Sequence, residues 1–229
     1  MTIAIMQPYL LPYIGYWQLI NAVDVFVIYD DVNFIKKGYI NRNSILSNGI
    51  SQQLTLELLG ASQNKLINEI DVGNNTKKLL KTIEMTYKKA KYFNAVFPLL
   101  QSILENDEKN LAKYLAYSLE KISTYLNIDT KFLFSSNIEK NNDLKGQEKI
   151  LHIAKSLNAS KYINAIGGKE LYDKKVFQNE NIELFFLETE LIEYKQFKNE
   201  FVGYLSIIDI LMHNSQEEIK IMLENYTLI

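Results

Sequence analysis

The chain has 229 residues, 47% hydrophobic and 23% charged, with 25 Lys plus Arg against 27 Asp plus Glu and a net charge of −2. That is the size and mixture of one globular unit, with no electrostatic bias toward nucleic acid or an anionic membrane. It contains no cysteine, which removes disulfide frameworks, thiolate metal sites and cysteine nucleophiles; with His152 and His213 as its two histidines, a histidine-rich zinc centre is not expected either.

Residues 2–6 form a short apolar run typical of a buried strand. No basic region precedes it and no apolar run reaches membrane-spanning length, so the expectation is a cytoplasmic protein without signal or transmembrane segment. Gln7-Pro8-Tyr9-Leu10-Leu11-Pro12 must leave strand geometry, because proline cannot continue a ladder. A helix is predicted over 13–22 and a second buried strand over 23–28, giving the βαβ pattern of a parallel sheet. Residues 29–49 read as a loop or irregular hairpin over one end of the sheet, turning at Gly38 and Gly49. Residues 53–58 alternate like a half-buried strand, which residues 67–72 can pair. A helical insertion is predicted around 76–127, where Leu111, Leu115, Leu119, Ile122 and Leu126 recur at helical spacing. Strand signals return at 131–134, 161–163 and 182–187, with helices over 145–157, 206–213 and 215–225. The fold class is therefore α/β, a mostly parallel sheet flanked by helices, in a single domain over 1–229.

Four stretches carry chemistry. The first is the loop from Gln7 and Tyr9 to Gly15, between the first strand and the first helix. Ligands of open α/β sheets sit beyond the carboxyl ends of the strands; Gly15 would allow close approach, and Tyr9, Tyr13, Tyr16 and Trp17 can wall a base or a sugar ring. The second is Asp30-Asp31 with Lys36, Lys37 and Asn41-Arg42-Asn43. Adjacent carboxylates need a cation or solvent nearby, and in extended chain they point opposite ways. Arg42 is the one arginine among 25 basic residues, and arginine alone offers a planar fork to carboxylate or phosphate. The third, Asn164 to Gly167-Gly168-Lys169, resembles a phosphate cradle at a helix start without matching a P-loop. In the fourth, Gln196 is a candidate reader of an amide or hydroxyl, while Ser206 and Asp209 have capping-box spacing. His152 reads as exposed and inert. His213 ends a helix, where a cation suits the dipole. The lysines at 77, 78, 81, 88, 89 and 91 read as a solvated helix face.

Taken in order, these segments resemble the WbqC-like family: residues 4–9 with Leu11-Pro12-Tyr13 and Gly15-Tyr16, Asp24 to Phe26 with Asp30-Asp31-Val32, Lys37-Gly38-Tyr39, Asn41-Arg42-Asn43, residues 87–90, residues 162–169, and residues 205–209. The resemblance runs from residue 3 to about residue 215. Some relatives carry histidine directly before the Gln-Pro pair, where this chain has Met6, so an imidazole there is not part of the expected chemistry. The resemblance implies surface-polysaccharide or O-antigen (lipopolysaccharide) biosynthesis and a transferase activity, glycyl or another aminoacyl transfer to a nucleotide- or lipid-linked amino sugar. Asp30, Asp31 and Arg42 are the expected catalytic residues. The expected binding residues are Gln7, Tyr9, Gly15, Lys36, Asn41, Asn43, Asn164, Gly168, Lys169 and Gln196, with no dedicated metal ligand. The first loop is also similar to the signature loop of Rossmann-like nucleotidyltransferases and class I synthetases, without their paired histidines. That leaves ATP and a divalent ion open as cofactors and aminoacyl-tRNA as the one nucleic-acid donor to consider. Two alternatives stand beside transfer of an aminoacyl group: nucleotidyl transfer to a sugar phosphate, and non-catalytic binding of a sugar nucleotide.

Overall fold

The computed structural model describes residues 1–198 and 200–229. A six-stranded sheet organises the chain, built from β1 (Thr2–Met6), β2 (Val25–Ile28), β7 (Lys131–Phe134), β8 (Lys161–Ala165), β9 (Glu183–Thr189) and β10 (Tyr226–Leu228), in the order β10-β9-β8-β1-β2-β7. All neighbours are parallel except β10, which runs antiparallel to β9 at one edge. The order explains the sequence. All four β2 residues are buried, as are the three central residues of β1, because strands covered on both faces need apolar side chains throughout.

One face of the sheet carries α1 (Ile14–Asn21), α7 (Ile207–His213), α8 (Gln216–Glu224) and the helical insertion, sharing a large core that includes Trp17, Phe26, Leu115 and Leu211. The other face carries α5 (Gly146–Ser156) and α6 (Lys174–Asn179), packed through Ile150, Ile153, Ala154 and Phe177 onto Ile3, Ile5, Val25 and Tyr162. The architecture is thus the expected α/β class, a mostly parallel sheet between helical layers. The insertion forms α2 (Thr76–Tyr87), α3 (Phe93–Leu104) and α4 (Leu111–Tyr125). The predicted face of Leu111, Leu115, Leu119, Ile122 and Leu126 is buried in the core, and Asn110 caps α4 by accepting from the Lys113 N–H at 3.2 Å.

Four details depart from the sequence reading. First, β3 (Arg42–Ser47) and β4 (Ile50–Thr55) form a regular hairpin, not an irregular loop followed by a separate strand. Its turn is Asn48-Gly49, both at positive φ (51° and 80°), which matches the two-residue turn whose twist suits a hairpin. The strand expected over 53–58 falls partly in β4, and of residues 67–72 only β6 (Asp71–Val72) is paired, with the short β5 (Leu58–Leu59). Second, Ser206 and Asp209 do not form a capping box. Ser206 accepts from the Ile208 N–H at 3.3 Å and donates to the Leu11 carbonyl, and its own N–H goes to the Ser44 carbonyl. Asp209 turns inward instead. Third, the Gly167-Gly168 segment opens a six-residue 3-10 turn, Ile166–Leu171, rather than an α-helix. Fourth, His152 is half-buried rather than exposed.

Candidate functional site at the carboxyl edge of the sheet

From β1 the chain moves outward through β2 to β7, then returns to the other side of β1 for β8 and β9. The direction reverses between β1 and β8. In an open α/β sheet that reversal leaves a crevice beyond the strands' carboxyl ends, bounded by loops that part to either side. Here the two loops are the segment after Met6 and the turn after Ala165, both singled out in the sequence.

The first loop is held by its own backbone carbonyls, which need donors because they are removed from water. Asn43 Nδ2 donates to the Leu10 and Leu11 carbonyls at 3.1 and 2.8 Å. Ser206 Oγ reaches Leu11 at 2.7 Å, Trp17 Nε1 reaches Pro12 at 3.0 Å, and the Tyr16 hydroxyl reaches the Gln7 carbonyl at 2.8 Å. The loop is therefore a rigid scaffold. Over it stands a rim of tyrosines: the Tyr9 ring lies 5.4 Å from Tyr16 and 5.9 Å from Tyr39, and Tyr13 lies 6.2 Å from Tyr204. Tyr39 and Tyr204 are 62% and 68% exposed. Burial, with the neighbouring phenols, pushes the Tyr9 hydroxyl above its ordinary range, so it stays a donor. Gly15 is buried beneath this rim, and a Cβ there would collide with Thr189 Oγ1 and the Tyr13 ring.

The second loop is more open. Asn164 is buried and accepts from the Ala165 N–H at 2.9 Å. A Cβ on Gly168 would lie 2.5 Å from Asn164 Nδ2, whereas one on Gly167 would meet nothing within 4 Å. Lys169 is exposed beside them.

The paired aspartates follow β2 and diverge, as extended geometry requires. Asp30 is buried: Oδ1 accepts from the Ser136 N–H at 2.9 Å, and Oδ2 accepts from Ser136 Oγ at 2.7 Å and Asn68 Nδ2 at 3.1 Å. It ties together the segments after β2, β7 and β5. Asp31 faces a cleft of about 730 Å³. Its Oδ2 meets Lys140 Nζ at 2.8 Å and Lys149 Nζ at 3.4 Å, and these lysine side chains are only 2% and 9% exposed. Burial pushes the Asp31 carboxyl up, but the Lys140 contact and the Lys149 charge outweigh it and hold the group below the ordinary aspartate range. Burial chiefly, and the Asp31 charge next, push the Tyr29 phenol up. The same cleft takes in Lys145 and Gly146 at the start of α5, whose first turn has no side-chain cap. Helix N–H groups and a lysine thus face the space where Asp31 sits.

Of the remaining predicted residues, Arg42, Asn41 and Gln196 have their polar groups committed within the protein. Arg42 Nε donates to the Gly38 carbonyl at 2.9 Å and its Nη2 to the Lys37 carbonyl; Lys37 is at positive φ (63°). Asn41 Nδ2 donates to the Leu56 carbonyl at 2.8 Å. These two line a shallower hollow with Lys36, joined to the first loop through the Leu10 N–H to Tyr39 carbonyl bond at 3.1 Å. Gln196 is buried away from this edge, donating to Asp209 Oδ2 at 2.7 Å.

Sequence reasoning missed Lys140, Lys149, Tyr29, Tyr39 and Tyr204. The strand-end rule that flagged the loops after the first two strands applies equally to the loop after 131–134, and would have led to Lys140; Lys149 lies beyond that loop, in α5. Among the described residues, no cluster of three or more His, Cys, Asp or Glu is placed to hold a metal ion, and no helix is long and apolar enough to cross a membrane.

A relative in Mycobacterium tuberculosis, the uncharacterized protein Rv1507c, is 27% identical over 220 residues, covering 94% of each chain. No solved structure matches the chain. The family model of the WbqC-like protein family matches residues 7–221, a span that holds the Gln7 loop, both aspartates, the Gly167-Gly168 turn and α7; the chain belongs to the WbqC-like protein family.

Proposed function

We propose that this protein is a transferase that places an aminoacyl group, glycyl in the first instance, on the amine of a nucleotide- or lipid-linked amino sugar for a bacterial surface polysaccharide. The observation that carries the reading is the reversal of strand order between β1 and β8, the position at which open α/β sheets bind ligands, with the aromatic loop following β1 and the glycine turn following β8. Tyrosine rings suit a sugar face. Lys145, the first turn of α5 and the Gly167-Gly168 backbone suit phosphates, whether of the sugar carrier or of ATP used to activate the acyl group.

In the transfer the sugar amine attacks the acyl carbon of an activated donor. The N–C bond forms, the donor's C–O bond breaks, and the proton lost from the nitrogen goes to the departing oxygen or, through water, to solvent. Asp31, kept ionised by its lysines, is suited to hold the ammonium that develops on attack, and less suited to be a strong base. Asp30 and Arg42 serve as positioning residues, one joining three segments and the other fixing the turn below Tyr39.

The assay is incubation of purified protein with a nucleotide-linked amino sugar, with ATP and glycine in one arm and glycyl-tRNA in another, read by mass spectrometry. A product heavier by one glycyl unit is the expected result; no product across several amino sugars in either arm overturns the reading. Pyrophosphate release without an amino acid would point to nucleotidyl transfer, and calorimetric binding without turnover would point to a sugar-nucleotide carrier.

A further inference from the structure

A second cleft, of about 560 Å³, lies between the α2–α3 connection, the segment after β9 and α8. None of its lining residues belongs to the cleft beside Asp31. At its wall is His213, whose side chain is 5% exposed and whose Nε2 lies 3.8 Å from Asp209 Oδ1. That is too far for a hydrogen bond, and Nε2 has no partner among the described residues.

Asp209 is completely buried. Tyr87 donates to its Oδ1 at 2.8 Å, and Tyr194 and Gln196 donate to its Oδ2 at 2.8 and 2.7 Å. Three neutral donors thus engage the carboxylate behind the imidazole. Phe197 packs edge-on against the ring at 4.5 Å while its backbone sits at φ 49°, a left-handed conformation that a bulky side chain adopts only where packing enforces it.

The charges in front of the ring are mostly positive. Lys89, Lys91 and Lys195 line the cleft against Glu193 and Glu218. A neighbouring hollow, of about 750 Å³, shares Lys89 and Phe197 and adds Lys88 and Lys198 with no acid in its lining. Five lysines against two glutamates is a local reversal of sign in a chain of net charge −2.

We propose that this cleft is a binding site for a phosphate ester, in which His213 is the ligand-contacting group and takes up a proton as the phosphate binds. The imidazolium would direct one N–H toward Asp209 and the other into the cleft, and its place at the C-terminus of α7 favours the cation. Without a ligand, burial outweighs the pull of Asp209 and holds the imidazole below its ordinary range. An anion in the cleft supplies the second counter-charge. This site stands independently of the transferase reading.

Two histidines make the test direct. In ¹H–¹³C spectra of the full chain, sulfate, which does not titrate in this range, is added at several pH values from about 8 down to about 5.5, with inorganic phosphate and acetate as parallel arms. The expected result is a saturable shift of the His213 ring signals alone, a raised His213 midpoint, and affinity that rises several-fold as pH falls. His213→Gln should remove the pH dependence. Lys89→Ala and Lys195→Ala, both at exposed positions, should each weaken binding several-fold without loss of fold. Equal shifts at His152 and His213, or wild-type affinity in both lysine variants, would overturn the proposal, and acetate binding as tightly as sulfate would overturn the phosphate assignment.

Discussion

Arg42 stands apart in a chain whose other basic residues are all lysine. Its fork is used internally, bridging the Lys37 and Gly38 carbonyls across a turn that presents Tyr39 to Tyr9. A lysine can reach one carbonyl but not both in fixed geometry. Arg42→Lys is therefore expected to cost about 1.5–3 kcal/mol, the range for a charge-assisted hydrogen bond, and to lower affinity for the proposed amino-sugar substrate because the aromatic rim loosens. Thermal melting and calorimetry on the same sample check both; an unchanged melting temperature would show that the fork is dispensable.

Asp31 offers a pH test. Its folded carboxyl titrates below the ordinary aspartate range, so its stabilising effect is present above that range and disappears as pH falls through the lowered folded value. Asp31→Asn should be less stable than the parent at neutral pH, since it leaves Lys140 and Lys149 buried without their carboxylate. The difference should close in acid, where the parent loses that charge too. A gap that stays constant from neutral pH to about pH 3 would show that the lysines do not depend on Asp31.

At the scale of elements, the two loops that frame the crevice respond to added bulk in opposite ways. Gly15→Ala drives a methyl group into Thr189 and Tyr13 beneath the rim, and overpacking of this kind costs about 1–3 kcal/mol. Gly167→Ala meets nothing within 4 Å and should leave the melting temperature unchanged while weakening binding of a nucleotide-linked sugar, if its phosphates seat on that backbone as proposed. Equal losses of stability in the two variants would contradict this division of roles.

The same elements show what the sequence could reveal. The strands over 2–6, 23–28, 131–134, 161–163 and 182–187 were legible because doubly covered strands are written as short apolar runs between breakers. The edge strand β10 was not: three residues with one face open carry no such run. The hairpin was under-read even though Asn48-Gly49 is a strong local signal, because Ser51-Gln52-Gln53 carries no alternation and the strand is read as starting only at residue 53. In the site, residue types were legible but directions were not. Whether Asp30 or Asp31 faces a cleft depends on Ser136 and Asn68, far away in sequence. The apparent capping pair of Ser206 and Asp209 dissolved for the same reason: Tyr87 claims Asp209 from 122 positions away.

Across the whole molecule, the candidate sites lie at separate places along the sheet. The strand order reverses between β1 and β8, α5 brings its first turn to the cleft beside Asp31 on the β2–β7 side, and the segment after β9 leads to the His213 cleft. The most direct test is a crystal structure with a nucleotide-linked amino sugar bound. The account predicts phosphates within hydrogen-bonding distance of the α5 first turn or the Gly167-Gly168 backbone, and the sugar ring against Tyr9 or Tyr39. A ligand seated away from the carboxyl edge, with both loops unoccupied, would contradict it.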